Sequence, residues 1–175
     1  MTGTRTGPSS PSSPTGPSSP TDNPYNPLAW IVGDPVVGPG TWIGPFCLLD
    51  GSGGLEIGRG CDIAAGAQIY THSSAKRCVT DRRVEIERRP VRIGECTFIG
   101  AGAIVMMGVT IGDHCVIGAG AVVTTDLPDR AVAVGVPATV VGFVDLETGE
   151  TVPLPAGGAQ VQVAGRVSTR VSAQG

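Results

Sequence analysis

The segment Ile93 to Pro128 reads, in sixes, I-G-E-C-T-F, I-G-A-G-A-I, V-M-M-G-V-T, I-G-D-H-C-V, I-G-A-G-A-V and V-T-T-D-L-P. The six blocks open on Ile93, Ile99, Val105, Ile111, Ile117 and Val123. Towards the N-terminus the same period holds in V-G-P-G-T-W from Val37 and I-G-P-F-C-L from Ile43, and again in I-G-R-G-C-D, I-A-A-G-A-Q and I-Y-T-H-S-S from Ile57, Ile63 and Ile69. Every block places Ile or Val first, Gly is commonest second, and small residues dominate the fifth position. Two interruptions break the series, Asp50 to Glu56 and Ala75 to Arg92. A period of six fits neither a helix nor a simple strand. It fits a solenoid in which three short strands per turn each send one aliphatic side chain into a narrow core, with small residues at the bends.

The remainder of the chain bounds the answer. It has 175 residues, 15% of them charged and 4% aromatic, with a formal net charge of −3. That balance leaves no electrostatic footprint for nucleic acid. No apolar run approaches the ~18 residues that a spanning helix needs, and the N-terminus lacks the apolar segment of a signal peptide. A cytoplasmic protein is the expectation. Five cysteines without a CxxC pair favour neither a disulfide framework nor a structural zinc site. Residues 1–26 are read as a flexible Ser/Pro/Gly/Thr-rich tail, with Pro8, Pro11, Pro14, Pro17 and Pro20 at every third position. Residues 27–141 are read as the β-helical domain with a protruding loop over 75–92. Residues 142–175 are read as a flexible, irregular extension, with a small hairpin over Phe143–Val152 turning near Thr148 and Gly149.

The hexads from Val37 onward resemble the left-handed parallel β-helix of the hexapeptide-repeat acyltransferases. The run Ile111 to Pro128, followed by V-G-V-P-A from Val134 to Ala138, is especially similar. The resemblance implies an all-β, left-handed parallel β-helix and a homotrimer with sites between neighbouring subunits. It also implies transfer of an acetyl or other short acyl group from acyl-CoA to a hydroxyl or amine of a sugar or sugar nucleotide. Acetyl-CoA is then the donor substrate, and no metal, nucleic acid or membrane is expected.

Candidate site residues follow from the same alignment of motifs. His72, in I-Y-T-H-S-S just ahead of the long interruption, is implied to be the general base. An imidazole, which titrates near neutrality, suits removal of the acceptor's proton during attack on a thioester. His114 is expected to be solvated. Asp50 opens a D-G-S-G-G stretch read as lying two coils ahead of His72, and is a candidate for orienting it or for a turn. For the CoA arm the resemblance implies Phe98, Ala101, Ala119 and Thr124. Thr125 and Thr139 stand where the family often carries cations, so Arg130 is the candidate to meet the CoA phosphates. The loop Ala75 to Pro90 carries Lys76, Arg77, Arg82, Arg83, Arg88 and Arg89 against Asp81, Glu85 and Glu87. Either it grips an anionic group or it is a solvated charged loop.

Cys47, Cys61 and Cys115 take fifth positions and are read as small buried side chains. Cys96 falls at a fourth position. Cys78, beside Arg77, lies in a cationic setting, but direct transfer without an acyl-enzyme is the expectation. Some proteins of this repeat resemble zinc hydratases with three His ligands, which two histidines cannot supply. The alternative to an enzyme is a non-catalytic trimeric scaffold, and CoA binding separates the two.

Overall fold

An aliphatic residue at every sixth position is buried when three short strands close a triangle and successive triangles stack. The computed structural model has this arrangement over the residues it describes, 26–154. The first coil comprises β1 (Trp30–Val32), β2 (Val36–Val37) and β3 (Trp42–Ile43), and the second β4 (Leu48–Asp50), β5 (Leu55–Ile57) and β6 (Asp62–Ile63). The third begins with β7 (Gln68–Ile69) and leaves the triangle through β8 (His72–Ser73), α1 (Ala75–Val79) and β9 (Glu87–Arg88). It returns with β10 (Val91–Ile93) and β11 (Phe98–Ile99). The fourth coil is β12 (Ile104–Val105), β13 (Thr110–Ile111) and β14 (Val116–Ile117). The fifth is β15 (Val122–Val123), a single bridge at Leu127, and β16 (Ala131–Val134).

Stacking gives three parallel sheets. Sheet A runs β1-β4-β7-β12-β15, sheet B runs β2-β5-β10-β13, and sheet C runs β3-β6-β11-β14-β16. This is the expected all-β parallel β-helix, and the repeat and its stacking are consistent with the left-handed class. In register, Ile31, Leu49, Ile69, Val105 and Val123 stack inside sheet A. Val37, Ile57, Ile93, Ile111 and Leu127 do so inside sheet B, and Ile43, Ile63, Ile99, Ile117 and Ala133 inside sheet C. All but Ile31 and Val37, in the first coil, are fully buried. Each full burial of a Val, Leu or Ile contributes roughly 1.5–3 kcal/mol, so the ladder is the source of the fold's stability. Leu49 is a core position that the hexad count passed over.

Spacing between core residues locates the irregular part of the molecule. From sheet B to C and from C to A the step is always six residues. From A to B it is six in the first coil (Ile31 to Val37) and the fourth (Val105 to Ile111). It becomes eight from Leu49 to Ile57, twenty-four from Ile69 to Ile93, and four from Val123 to Leu127. Every insertion and deletion therefore falls on the A/B corner. Variable loops on a rigid scaffold are where binding chemistry is usually built.

The B/C corner is uniform, and its chemistry is repeated. The fourth hexad position there is left-handed in each coil: Gly40, Gly60, Cys96, His114 and Arg130 have φ between 51° and 73°. This accounts for His114 and Cys96 as bend residues. The fifth position forms a vertical ladder of donors. Thr41 Oγ1 donates to the Gly58 carbonyl (2.8 Å), Cys61 Sγ to Gly94 (3.0 Å), Thr97 Oγ1 to Gly112 (3.0 Å) and Cys115 Sγ to Pro128 (3.1 Å). The fifth-position cysteines are thus buried, as expected, and are also hydrogen-bond donors to the next coil. Burial pushes the Cys115 thiol up to about 11 and also raises Cys47 and Cys61, so all three stay protonated. Thr97 additionally accepts from the Cys115 amide (3.1 Å). Thr97→Val, which keeps the shape and removes the hydroxyl, should therefore strand a buried amide and a carbonyl and cost about 1–3 kcal/mol. A urea titration measures this, and Thr97→Cys, the solution of the adjacent coils, should cost less.

The end of the described chain differs from an irregular extension. β17 (Thr139–Val144) runs across residue 141 and pairs antiparallel with β16, and β18 (Thr151–Pro153) pairs antiparallel with β17. The expected hairpin is present, with Phe143 opposite Val152 and Gly149 at φ 75° in the turn. Because the hairpin adds to the edge of sheet C, the β-structure continues to Pro153 instead of stopping at 141. The V-G-V-P-A segment is the turn between β16 and β17, and it is tied to β15 by Val122 N–H to the Gly135 carbonyl and Ala138 N–H to the Val122 carbonyl. The tail expected over 1–26, except Asn26, and the extension from 155 onward lie outside the described residues. Among the described residues no helix is long and apolar enough to cross a membrane.

Candidate active site

The A/B corner of the second and third coils holds the one buried carboxylate among the described residues. Asp50, at the end of β4, is 1% exposed. Its Oδ1 accepts the Ser52 amide (3.0 Å) and its Oδ2 the Thr71 amide (2.8 Å). Thr71, also buried, returns a bond from Oγ1 to the Asp50 carbonyl (2.7 Å) and accepts the Gly53 amide (2.8 Å). The two-residue insertion after Leu49 thus folds back over the next coil. Gly53 is required there, because a Cβ at this position would run into the Thr71 carbonyl oxygen.

His72 follows Thr71 directly, and its Nδ1 lies 2.6 Å from Asp50 Oδ2. Ser52 Oγ lies 3.3 Å from the same nitrogen. Burial alone would raise the Asp50 pKa. Hydrogen bonds from Ser52, Thr71 and His72 overcome this and hold the carboxyl well below the usual carboxylate range. An ionised carboxylate is an acceptor only, so Nδ1 carries a proton, and in the neutral imidazole the lone pair is then on Nε2, on the far side of the ring. The side chain is 38% exposed, so the imidazole is fixed at one edge and open at the other.

The two histidines, both counted to a fourth hexad position, therefore occupy different backbones. His114 sits in a left-handed bend, whereas His72 lies in β8, where the chain has already left the coil. β8 pairs antiparallel with β9, with His72 opposite Arg88 and Ser73 opposite Glu87, and this two-stranded neck carries the charged loop. The loop's ion pairs are Lys76–Glu87 (3.0 Å), Arg89–Glu87 (3.3 Å) and Arg77–Glu85 (3.4 Å). The hydrogen bond and charge of Lys76 hold the Glu87 carboxyl below its ordinary value. Cys78 is exposed on α1.

The structure brings Asp50 and His72 together, and it corrects their spacing, since Asp50 lies on the adjacent coil and not two coils away. The five donor-site candidates are spread more widely. Ala101 and Ala119 stack at the C/A corner, linked by the Gly120 amide to the Ala101 carbonyl (2.9 Å). Phe98 faces outward on sheet C and is 42% exposed. Thr124 lies at the A/B corner, two coils on from His72. Arg130 occupies the left-handed position of the B/C corner, with sheet C between it and the two alanines. Ser52, Gly53 and Thr71 are site residues that motif reading did not single out.

Comparison with known proteins agrees with this architecture. A family model described as the hexapeptide repeat of succinyl-transferase matches residues 90–125. Nodulation protein L of Rhizobium meliloti is 43% identical over 107 residues, which is 61% of this chain and 58% of that protein. The crystal structure of a maltose O-acetyltransferase from Clostridium difficile 630 is 31% identical, over 66% of each chain, with a TM-score of 0.56. A hexapeptide-repeat acetyltransferase of Vibrio cholerae O1 biovar eltor, complexed with acetyl coenzyme A, is 27% identical over 66% of this chain and 60% of that one, with a TM-score of 0.50. The chain spans less than two thirds of the length of these relatives. With five stacked coils built on that repeat, the chain is similar in sequence and in fold to hexapeptide-repeat, β-helical acetyltransferases.

Proposed function

We propose that the protein transfers an acetyl or other short acyl group from acyl-CoA to a hydroxyl or amine of a small acceptor, a sugar or sugar nucleotide. The observation that carries the reading is the 2.6 Å contact between His72 Nδ1 and the buried Asp50 carboxylate, which fixes the tautomer of a half-exposed imidazole beside a loop. His72 Nε2 then takes the acceptor's proton as its oxygen or nitrogen attacks the thioester carbonyl carbon. A main-chain N–H stabilises the tetrahedral oxyanion. Collapse breaks the carbon–sulfur bond, and the departing CoA thiolate takes the proton back from the imidazolium. No bond to the enzyme forms, and holding both reactants at one corner supplies much of the rate.

The similarity to a maltose O-acetyltransferase supports a sugar acceptor, and the acetyl coenzyme A complex of the Vibrio cholerae relative supports the donor. Assembly as a homotrimer is part of the same proposal. It is supported by the outward ladder of sheet A, in which Trp30, Leu48, Ile104 and Val122 present apolar side chains on either side of Gln68. Calorimetric titration with acetyl-CoA, using free CoA as the comparison, tests the reading. One site per chain with a micromolar dissociation constant is expected, about −8 kcal/mol. Absence of heat at millimolar ligand would overturn it in favour of a scaffold.

A further inference from the structure

We infer that Arg88 holds an anionic group of the acceptor, a carboxylate or a phosphate, beside the His72 base, so that the enzyme selects acidic acceptors; this rests on the acyltransferase reading above. The first observation is register. His72 and Arg88 are direct partners in the antiparallel β8–β9 pair, and the Arg89 amide bonds to the Thr71 carbonyl (2.9 Å) just outside them. That pattern makes His72 and Arg88 a non-hydrogen-bonded pair, the kind in which the two Cα atoms approach to ~4.5 Å and both side chains leave the same face. An arginine is thus set directly beside the base.

The second observation is which cations are already engaged. Glu87 takes Lys76 and Arg89, and Glu85 takes Arg77. Arg89 also packs its aliphatic stem over Gly108. Both oxygens of Asp50 are occupied by Ser52, Thr71 and His72. The Arg88 side chain makes neither a hydrogen bond nor an ion pair among the described residues, and it is exposed. Its planar fork is the side chain best matched to a carboxylate or phosphate. The loop, with six cations against three anions in a chain of net charge −3, draws anions towards that corner. A merely solvated arginine accounts for the exposure but not for its place opposite the base.

The test uses the full chain with saturating acetyl-CoA and three acceptors: glucose, glucuronate and glucose 6-phosphate. Wild type should prefer one anionic sugar over glucose by at least ~10-fold in kcat/KM. Arg88→Gln should raise KM for that sugar roughly 10–100-fold, the range of a charge-assisted hydrogen bond, with kcat nearly unchanged and glucose unaffected. Arg88→Lys should restore part of the loss. The inference is overturned if glucose is preferred, if neither anionic sugar is acetylated, or if Arg88→Gln lowers kcat alike for all acceptors. The carboxylate and phosphate arms show which anion is bound. Failure of the acyltransferase reading itself appears separately, as wild-type chain that does not bind acetyl-CoA.

Discussion

On the proposed mechanism, His72→Ala is expected to lower acetyl transfer by about 10²–10⁴-fold, the contribution of a positioned general base, with acetyl-CoA affinity close to wild type. The loss falls on kcat because His72 is assigned to the proton that leaves during attack, and a group used only there stabilises the transition state and not the bound donor. The variant should fold. Asp50 keeps the Ser52 and Thr71 amides as partners, and the vacated volume is open to solvent on the half-exposed side of the ring. Release of CoA thiol, followed with a thiol-trapping reagent at saturating donor and acceptor, measures the change. Turnover near the wild-type level in a folded variant would remove His72 from the mechanism.

The fold was legible because each coil repeats one physical demand. Ile99 and Ile117 announce themselves by position alone, and their burial requires strands stacked at a fixed step. Residues whose role depends on leaving that step were harder to read. Leu49 is a core residue, yet the glycine-rich stretch after it hides the continuing ladder, so the hexad spacing puts Asp50 one coil too far from His72. Thr71 gives no motif signal, because its importance comes from the fold of the preceding coil over it. The two interruptions of the hexads were visible in the sequence, but only register puts both on the A/B corner. In the sequence Arg88 reads like Arg82, Arg83 and Arg89; its place opposite His72 comes from the pairing of β9, and a charge run does not specify a two-residue strand. Arg130 stands out in the sequence by its charge near the end of the repeats, and the coil places it at a left-handed bend shared with His114 and Cys96.

Asp50→Asn separates the two things this carboxylate does, and both effects are large. Its first task is electronic and geometric, since an ionised acceptor at 2.6 Å keeps the proton on Nδ1 and the lone pair on Nε2. An amide in its place presents either an oxygen or an NH₂ to His72, and the NH₂ orientation forces the opposite tautomer, in which Nε2 cannot act as a base. Comparable replacement of the carboxylate in a Ser-His-Asp triad lowers kcat by ~10⁴-fold, so a fall of about 10²–10⁴-fold is expected here. The second task is structural. One amide oxygen replaces two carboxylate oxygens that serve the Ser52 and Thr71 amides, so a buried donor loses its partner at a cost of about 1–3 kcal/mol. The pH dependence carries a definite sign. Hydrogen bonds depress the folded-state pKa of Asp50 below the ~3.9 of an unfolded aspartate. Its contribution to stability is therefore complete above that unfolded value and drains away as pH falls towards the folded one. Urea midpoints at pH 7 and pH 3 should show the wild type well above Asp50→Asn at neutrality and a narrower gap in acid. A gap that does not change with pH would mean that packing, and not the ionised carboxylate, holds this corner together.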